Sequence, residues 1–265
     1  MARMINSTAA LALAAASCLG MGTARADDQA SDVQAACADL PSHSQLHAAL
    51  SAARAQMNGG FNLDMWGTVV NRDGVVCAVA FTGADRGSQW PGSRVISAQK
   101  ANTANAFSLP QLALSTANLF SAVQPGGSLF GLQASNPVST YVAYRGDSRR
   151  YGTADDPMNG GKIGGVNVFG GGLGLYNAKH ELIGGVGVSG DSSCADHNIA
   201  WRTRHNLVLD FVPAGVSGDS SRPDNIVYDI TPAAGLELGV SANGWGHAFC
   251  TAASKSIAAS LPVVR

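Results

Sequence analysis

Aromatic residues make up only 6% of this 265-residue chain and charged residues only 13%. With 17 basic side chains against 18 acidic ones and no basic stripe, the chain lacks the electrostatic footprint of a nucleic-acid binder. Beyond the N-terminal region no segment offers the roughly 18 uninterrupted apolar residues of a spanning helix, so no membrane span is expected. No C-x-x-C pair occurs, which leaves a dithiol redox centre and a zinc ribbon without support.

What is present begins with an export signal. Residues 1–26 carry Arg3, an apolar stretch from Ala9 to Leu19, and Ala24-Arg25-Ala26 ahead of Asp27. This is the pattern of a Sec-type signal peptide cleaved near Ala26, and it predicts a periplasmic or secreted protein. Cys18 leaves with the leader, so an even set of four cysteines stays behind: Cys37, Cys77, Cys194 and Cys250. Four cysteines allow three pairings and the sequence does not choose among them; our expectation is Cys37–Cys77 with Cys194–Cys250. Glycine is abundant, at 32 residues, and clusters between Gly152 and Gly190 among apolar segments. That placement points to close backbone packing and tight turns rather than to a disordered linker.

The order of local signals is readable. Leu40-Pro41-Ser42 breaks the chain, and Ser42 or Ser44 caps a helix that runs to about Gln56 with Leu46, Leu50 and Ala53 on one face. Thr68–Arg86 reads TVVNRDGVVCAVAFTGADR, two strands joined by the turn Asn71-Arg72-Asp73-Gly74 within a hairpin at 66–82. A loop with Arg86, Trp90 and Pro91 leads into a helix, SRVISAQKANTANAF, from Ser93 to Phe107. The segment 108–162 is long and loop-rich. Strands are expected at 164–169, 173–176 and 181–188, a short helix at 195–204, strands at 206–211 and 225–230, and a last helix at 247–260.

Glu181–Ala200, ELIGGVGVSGDSSCADHNIA, carries the strongest functional signal. Gly185-Val186-Gly187-Val188-Ser189-Gly190 matches a G-x-G-x-x-G fingerprint, with Asp210 about twenty residues on. Too little chain follows Asp210 to complete a doubly wound sheet, and the earlier segments lack regular strand–helix alternation, so no nucleotide is expected. A different reading takes the pieces in order: a V-V-x-x-x-G hairpin, a K-A-x-T-A-x-x-F helix, Gly170-Gly171-Gly172, then G-V-G-V-S-G with a following Asp and Ala. This combination, over residues 45 to 205, resembles the HbpS/GlcG-like haem-binding proteins, whose domain also occurs at the C-terminal end of PduO-type proteins.

That resemblance implies an α/β (α+β) profilin-like domain, with an antiparallel sheet of about five strands and helices on both faces. It implies a domain at 27–206, a C-terminal extension at 207–265 packed on it, and assembly into homo-oligomers. It also implies an exported protein that binds haem or a similar planar, anionic ligand, in haem sensing, scavenging or degradation. The candidate ligand site comprises Lys100, Thr103, Phe107, Gly171, Gly187, Ser189, Gly190 and His197. Lys100 suits a propionate carboxylate, and His197 is the natural iron ligand. Two alternatives stand beside this one. One is a cofactor-independent enzyme on a small metabolite, with Lys100, Asp196 and His197 as acid–base groups. The other is a structural module in which the glycine-rich strands form an oligomer interface.

Other motifs weigh less. His43 and His47 share a helix face but lack the glutamate of a zinc-protease motif, and read as solvent-facing residues. Gly190-Asp191-Ser192-Ser193 is similar to a serine-protease nucleophile loop, but with no His or Asp motif in order it reads as a helix cap. Asp147, Asp155, Asp156 and Asn159 read as a solvated acidic loop rather than a calcium site. GVSGDSS occurs twice, at 187–193 and 215–221, and reads as a repeated turn because the flanking strands do not match.

Overall fold

The computed structural model describes residues 32–265. The expected signal peptide at 1–26 lies outside the described residues. Helix α1 (His43–Arg54) starts at Ser42 with a capping box to Gln45, and buries Leu46, Leu50 and Ala53 as the pattern predicts. The hairpin follows as β1 (Trp66–Asn71) and β2 (Val76–Phe81). Its turn closes through Gly74 at φ +75° and through Asn71 Oδ1, which accepts from the N–H groups of Asp73 and Val75. Helix α2 spans Ser93–Phe107, and two short helices, α3 (Leu132–Ser135) and α4 (Thr140–Tyr144), lie in the long middle segment. Strands β3 (Gly172–Tyr176) and β4 (Leu182–Ser189) lead into α5 (Ser193–Asn206).

The four strands form one antiparallel sheet in the order β2-β1-β4-β3. In β4, Val186 and Val188 face a core that includes Leu46 and Leu50 of α1 and Ile199 of α5. The alternate positions, Gly185 and Gly187, turn to the opposite face, where α2 lies. A β-carbon at Gly187 would fall on the Ser97 carbonyl oxygen, and one at Gly185 on that of Ala101. The glycines therefore let helix backbone rest directly on strand backbone. Helices on both faces of a mainly antiparallel sheet confirm the expected fold class.

The sheet has four strands where about five were expected. Gly160 and Gly161 meet Val76 through two backbone bonds at the free edge of β2, but no fifth strand develops. The expected strand at 164–169 is also absent: Gly164 and Gly165 take φ of +61° and +75°, and pairing there is limited to a single bridge between Val138 and Gly164. Likewise Val208 at φ +58° interrupts 206–211, leaving one bridge between Tyr176 and Asp210. The strand expected at 225–230 appears later, as β5 (Ile230–Ala233), hairpinned to β6 (Leu236–Ser241) through Gly235. The last helix, α6 (Ala252–Ala259), is shorter than expected and starts at a Thr251 capping box.

Segment 207–265 is tied to α5 at several points. Cys194 is disulfide-bonded to Cys250, Asn198 Nδ2 donates to Ser254 O, and Trp201 Nε1 donates to Pro262 O. Cys37–Cys77 forms the second disulfide, joining the start of the described chain to β2. Both pairings are the expected ones. No helix among the described residues is long and apolar enough to cross a membrane.

Candidate functional site

Lys100, expected beside an open glycine-lined cleft, is buried at 2% exposure. Its Nζ donates to Asp196 Oδ2 at 2.8 Å and to the Val188 carbonyl at 3.2 Å. Asp196 Oδ1 also accepts from the Asp191 N–H at 2.8 Å, so this carboxylate organises the start of α5. Burial pushes its pKa up to about 6, against the opposing pull of the lysine. Gly171 sits over this pair. At φ +119° its β-carbon would meet the Val188 carbonyl and approach Lys100 Nζ, so only glycine suits the position.

The remaining expected residues divide into neighbours and outliers. Ser189 Oγ donates to Ser93 Oγ at 3.3 Å, linking the end of β4 to the start of α2. At Gly190 an added β-carbon would collide with the Asp64 carbonyl oxygen. Thr103 Oγ1 donates to Gln99 O and accepts from the Asn167 N–H, binding the 165–170 loop to α2. Phe107 lies apart, in a small apolar cluster with Leu114, Val166 and Val168. His197 is fully buried. Its Nε2 accepts from the Ile226 N–H at 3.1 Å and lies 3.2 Å from Asn225 Oδ1. Burial drives its pKa down to about 3. Its Nε2 is thus already engaged within the protein.

A distinct opening lies at the other end of α2. A cleft of about 750 Å³ is lined by Trp66, Asp85, Arg86, Gly92, Arg94, Val95, Tyr144 and Tyr151, among others. That volume falls in the range of small-molecule sites, roughly 300–1,000 Å³. Its floor is set by Arg94, which is buried, donates from Nε to Asp156 Oδ2 at 2.8 Å, and stacks on the Tyr151 ring at 3.6 Å. Asp156 is thus a buried partner of Arg94 and an acceptor for the Gly152 and Met158 N–H groups. The reading of Asp156 as part of a solvated loop is corrected: the arginine and two amides neutralise a carboxylate that water no longer reaches.

Three features of the cleft favour an anion with an apolar body. Arg86 makes no ion pair or hydrogen bond among the described residues, and its neighbour Asp85 is occupied by the Gly87 N–H and the Ser88 hydroxyl. Helix α2 begins at Gly92 with no side-chain cap and no acidic residue in its first turn. Trp66 supplies an apolar wall, and its buried indole N–H has no partner. Tyr144, 64% exposed, forms the rim. In the sequence Arg86 stands out only as a loop residue. Tyr144 and Tyr151 approach Trp66 from more than sixty residues away, and no local pattern announces that meeting.

The two histidines of α1 stack on each other, with His43 Nε2 bonded to the Gly152 carbonyl at 2.9 Å. Asp210, the would-be ribose acid, instead pairs with His205 and Arg265.

The family described as "Haem degrading protein HbpS-like" matches residues 42–204, more than half of the chain. No curated relative matches it. Among solved structures, a Klebsiella pneumoniae protein, ORFY, is 25% identical, with 62% of this chain and 86% of that chain covered at a TM-score of 0.42. PduOC in complex with heme is 24% identical, with 62% and 89% covered at a TM-score of 0.42. A Streptomyces reticuli HbpS double mutant is 17% identical, with 62% and 82% covered at a TM-score of 0.40.

Proposed function

Because this chain belongs to the HbpS-like family through residues 42–204, we propose that it is an exported binding protein for haem or a similar planar, anionic ligand. The ligand enters the cleft between Trp66, Tyr144 and Tyr151. The observation that carries this reading is the conjunction of aromatic walls with an uncommitted arginine, Arg86, in a cleft of about 750 Å³. A macrocycle buries its faces against the rings while a carboxylate pairs with the guanidinium, which suits bidentate contact.

The residues present fit haem. Tyr151 OH is engaged with the Tyr144 carbonyl at 3.0 Å, so among the tyrosines lining the cleft Tyr144 offers the phenol available to iron. When bound, haem would supply the redox and oxygen chemistry that none of these side chains provides. The protein's own groups would orient the ring plane, neutralise the carboxylates and exclude water from one face. Lys100 and Asp196 support the cleft indirectly, by holding α2 against α5.

Export remains part of the proposal and is supported by the two disulfides, which suit an oxidising compartment. Self-assembly is also proposed. Leu236, Leu238 and Val240 form an apolar row on β6, each more than 40% exposed, that suits a subunit contact.

Haemin titration of the disulfide-bonded protein tests the reading, followed by Soret absorbance and size-exclusion chromatography. A saturable, near-stoichiometric band that weakens in Arg86→Ala and Tyr144→Ala is the expected result. A band insensitive to both variants would move the site elsewhere, and no saturable band would remove haem as the ligand.

A further inference from the structure

The GDSS segment, read from sequence as a helix cap, has acquired a histidine partner from the C-terminal segment. Ser192 is the residue that caps α5, accepting from the Ala195 N–H; Ser193 is the first helical residue, and its hydroxyl faces elsewhere. Ser193 Oγ lies 2.8 Å from His247 Nε2 and accepts from the Gly170 N–H at 2.8 Å. His247 Nδ1 lies 2.7 Å from the Ala248 carbonyl oxygen. A carbonyl can only accept, so Nδ1 carries the proton and the bare lone pair of Nε2 is directed at the serine hydroxyl. This is the tautomer a general base requires.

We propose that Ser193 and His247 form a nucleophile–base dyad that hydrolyses small carboxylic esters. The site combines a serine within the family-matched region with a base from outside it. The Cys194–Cys250 disulfide clamps the two together, one sulfur directly following the nucleophile and the other three residues beyond the base. In the first turn of α5 the N–H groups of Ser193 and Cys194 have no acceptor among the described residues. They adjoin the nucleophile at the positive end of the helix, where a carbonyl oxygen gains charge during attack. The Phe120 ring lies on His247 at 4.7 Å, and half-exposed Phe169 precedes Gly170, so the approach favours a short apolar acyl group.

The chemistry balances without a further reagent except water. Ser193 Oγ bonds to the ester carbon as its proton passes to His247 Nε2 and the carbonyl π electrons move to oxygen. Collapse of that adduct expels the alkoxide, which takes the proton from Nε2 and leaves as an alcohol. Water then adds to acyl-Ser193 with Nε2 again holding the proton, the carboxylic acid departs, and Oγ–H is restored.

Labelling with a small alkyl fluorophosphonate tests this independently of any haem binding, with intact mass and peptide mapping as the readout. The disulfide-bonded protein should gain one adduct, on Ser193, and should hydrolyse p-nitrophenyl acetate. His247→Gln should slow labelling on the order of 100-fold, the worth of a general base. Ser193→Ala should abolish the adduct, while Ser192→Ala, which touches only the cap, should keep it. If Ser193→Ala fails to fold for want of an acceptor for Gly170, the mapped wild-type adduct and the His247→Gln rate still decide. No adduct on Ser193 in the folded protein, or equal rates in wild type and His247→Gln, would overturn the proposal.

Discussion

Lys100 and Asp196 meet at 2.8 Å across the end of the sheet, joining the helix on one face to the helix on the other. Both side chains are almost wholly removed from water, so neither charge has a solvent alternative. The pair is therefore a clamp on the α2–β4–α5 arrangement from which both proposed sites are built.

Removing one partner should be costly. Lys100→Met leaves a buried carboxylate unpaired, and we expect a loss of about 3–5 kcal/mol at neutral pH. The deficit should shrink on acidification, because the unpaired carboxyl can then take a proton. Adding Asp196→Asn should recover much of the loss. Urea unfolding of the single and double variants at pH 7.5 and 5 measures all three, and a near-silent Lys100→Met would refute the clamp.

Gly187 is expected to tolerate no side chain. In Gly187→Ala the new methyl group must displace the Ser97 carbonyl and hence the whole of α2, a clash of backbone rather than of flexible side chains. A loss of about 3 kcal/mol or failure to fold is the expected outcome. Wild-type stability in this variant would mean that α2 does not sit directly on β4.

The Cys194–Cys250 bridge closes a separation of 56 residues, and in the chain-entropy view such a loop is worth about 4 kcal/mol. The double substitution to serine should lower Tm by calorimetry. It should also slow fluorophosphonate labelling at Ser193, since the clamp on His247 is gone. Unchanged labelling in a folded, bridge-free protein would show that the bridge has no part in positioning the base.

Acid should destabilise the fold. Burial lowers the pKa of His197 from 6.5 to about 3 and that of His247 from 6.5 to about 4. Between pH 6.5 and 4 the unfolded chain therefore binds protons that the two native imidazoles refuse. Asp196, raised from 3.8 to about 6, works in the opposite sense and cancels one of them. The net is close to one extra proton on the unfolded chain, so stability should fall by roughly 1.4 kcal/mol per pH unit as pH drops. Urea midpoints from pH 7.5 to 5 report this, and a flat or rising trend on acidification would contradict the buried neutral histidines.

At the cleft, charge is expected to matter more than shape for the anion. Arg86→Glu should weaken haemin binding by more than tenfold, while Arg86→Lys retains part of it, since an ammonium keeps the charge without the bidentate fork. Equal affinity in all three proteins, measured by Soret titration, would exclude Arg86 from the site.

Several features follow from neighbouring residues and were legible in advance. Asn71-Arg72-Asp73-Gly74 makes a turn because its own side chain and glycine close it. Ser42, one of the two expected caps, starts the helix that carries Leu46, Leu50 and Ala53 on one face. The failed strands at 164–169 and 206–211 show the limit of such reading, since apolar alternation promised extension while Gly164, Gly165 and Val208 took positive φ within the folded whole.

The amino-acid order alone was enough for the family and the fold class, because these rest on short motifs in order and on short-range stereochemistry. Packing settled what each of those parts does. The glycines of β4 could have lined a ligand or seated a helix, and only the position of α2 over Gly185 and Gly187 distinguishes the two. Ser193 was a cap residue until His247, 54 positions away, was brought to its hydroxyl. Which side chains meet across such separations is decided by the burial of the whole core, and no stretch of sequence near either residue carries that information.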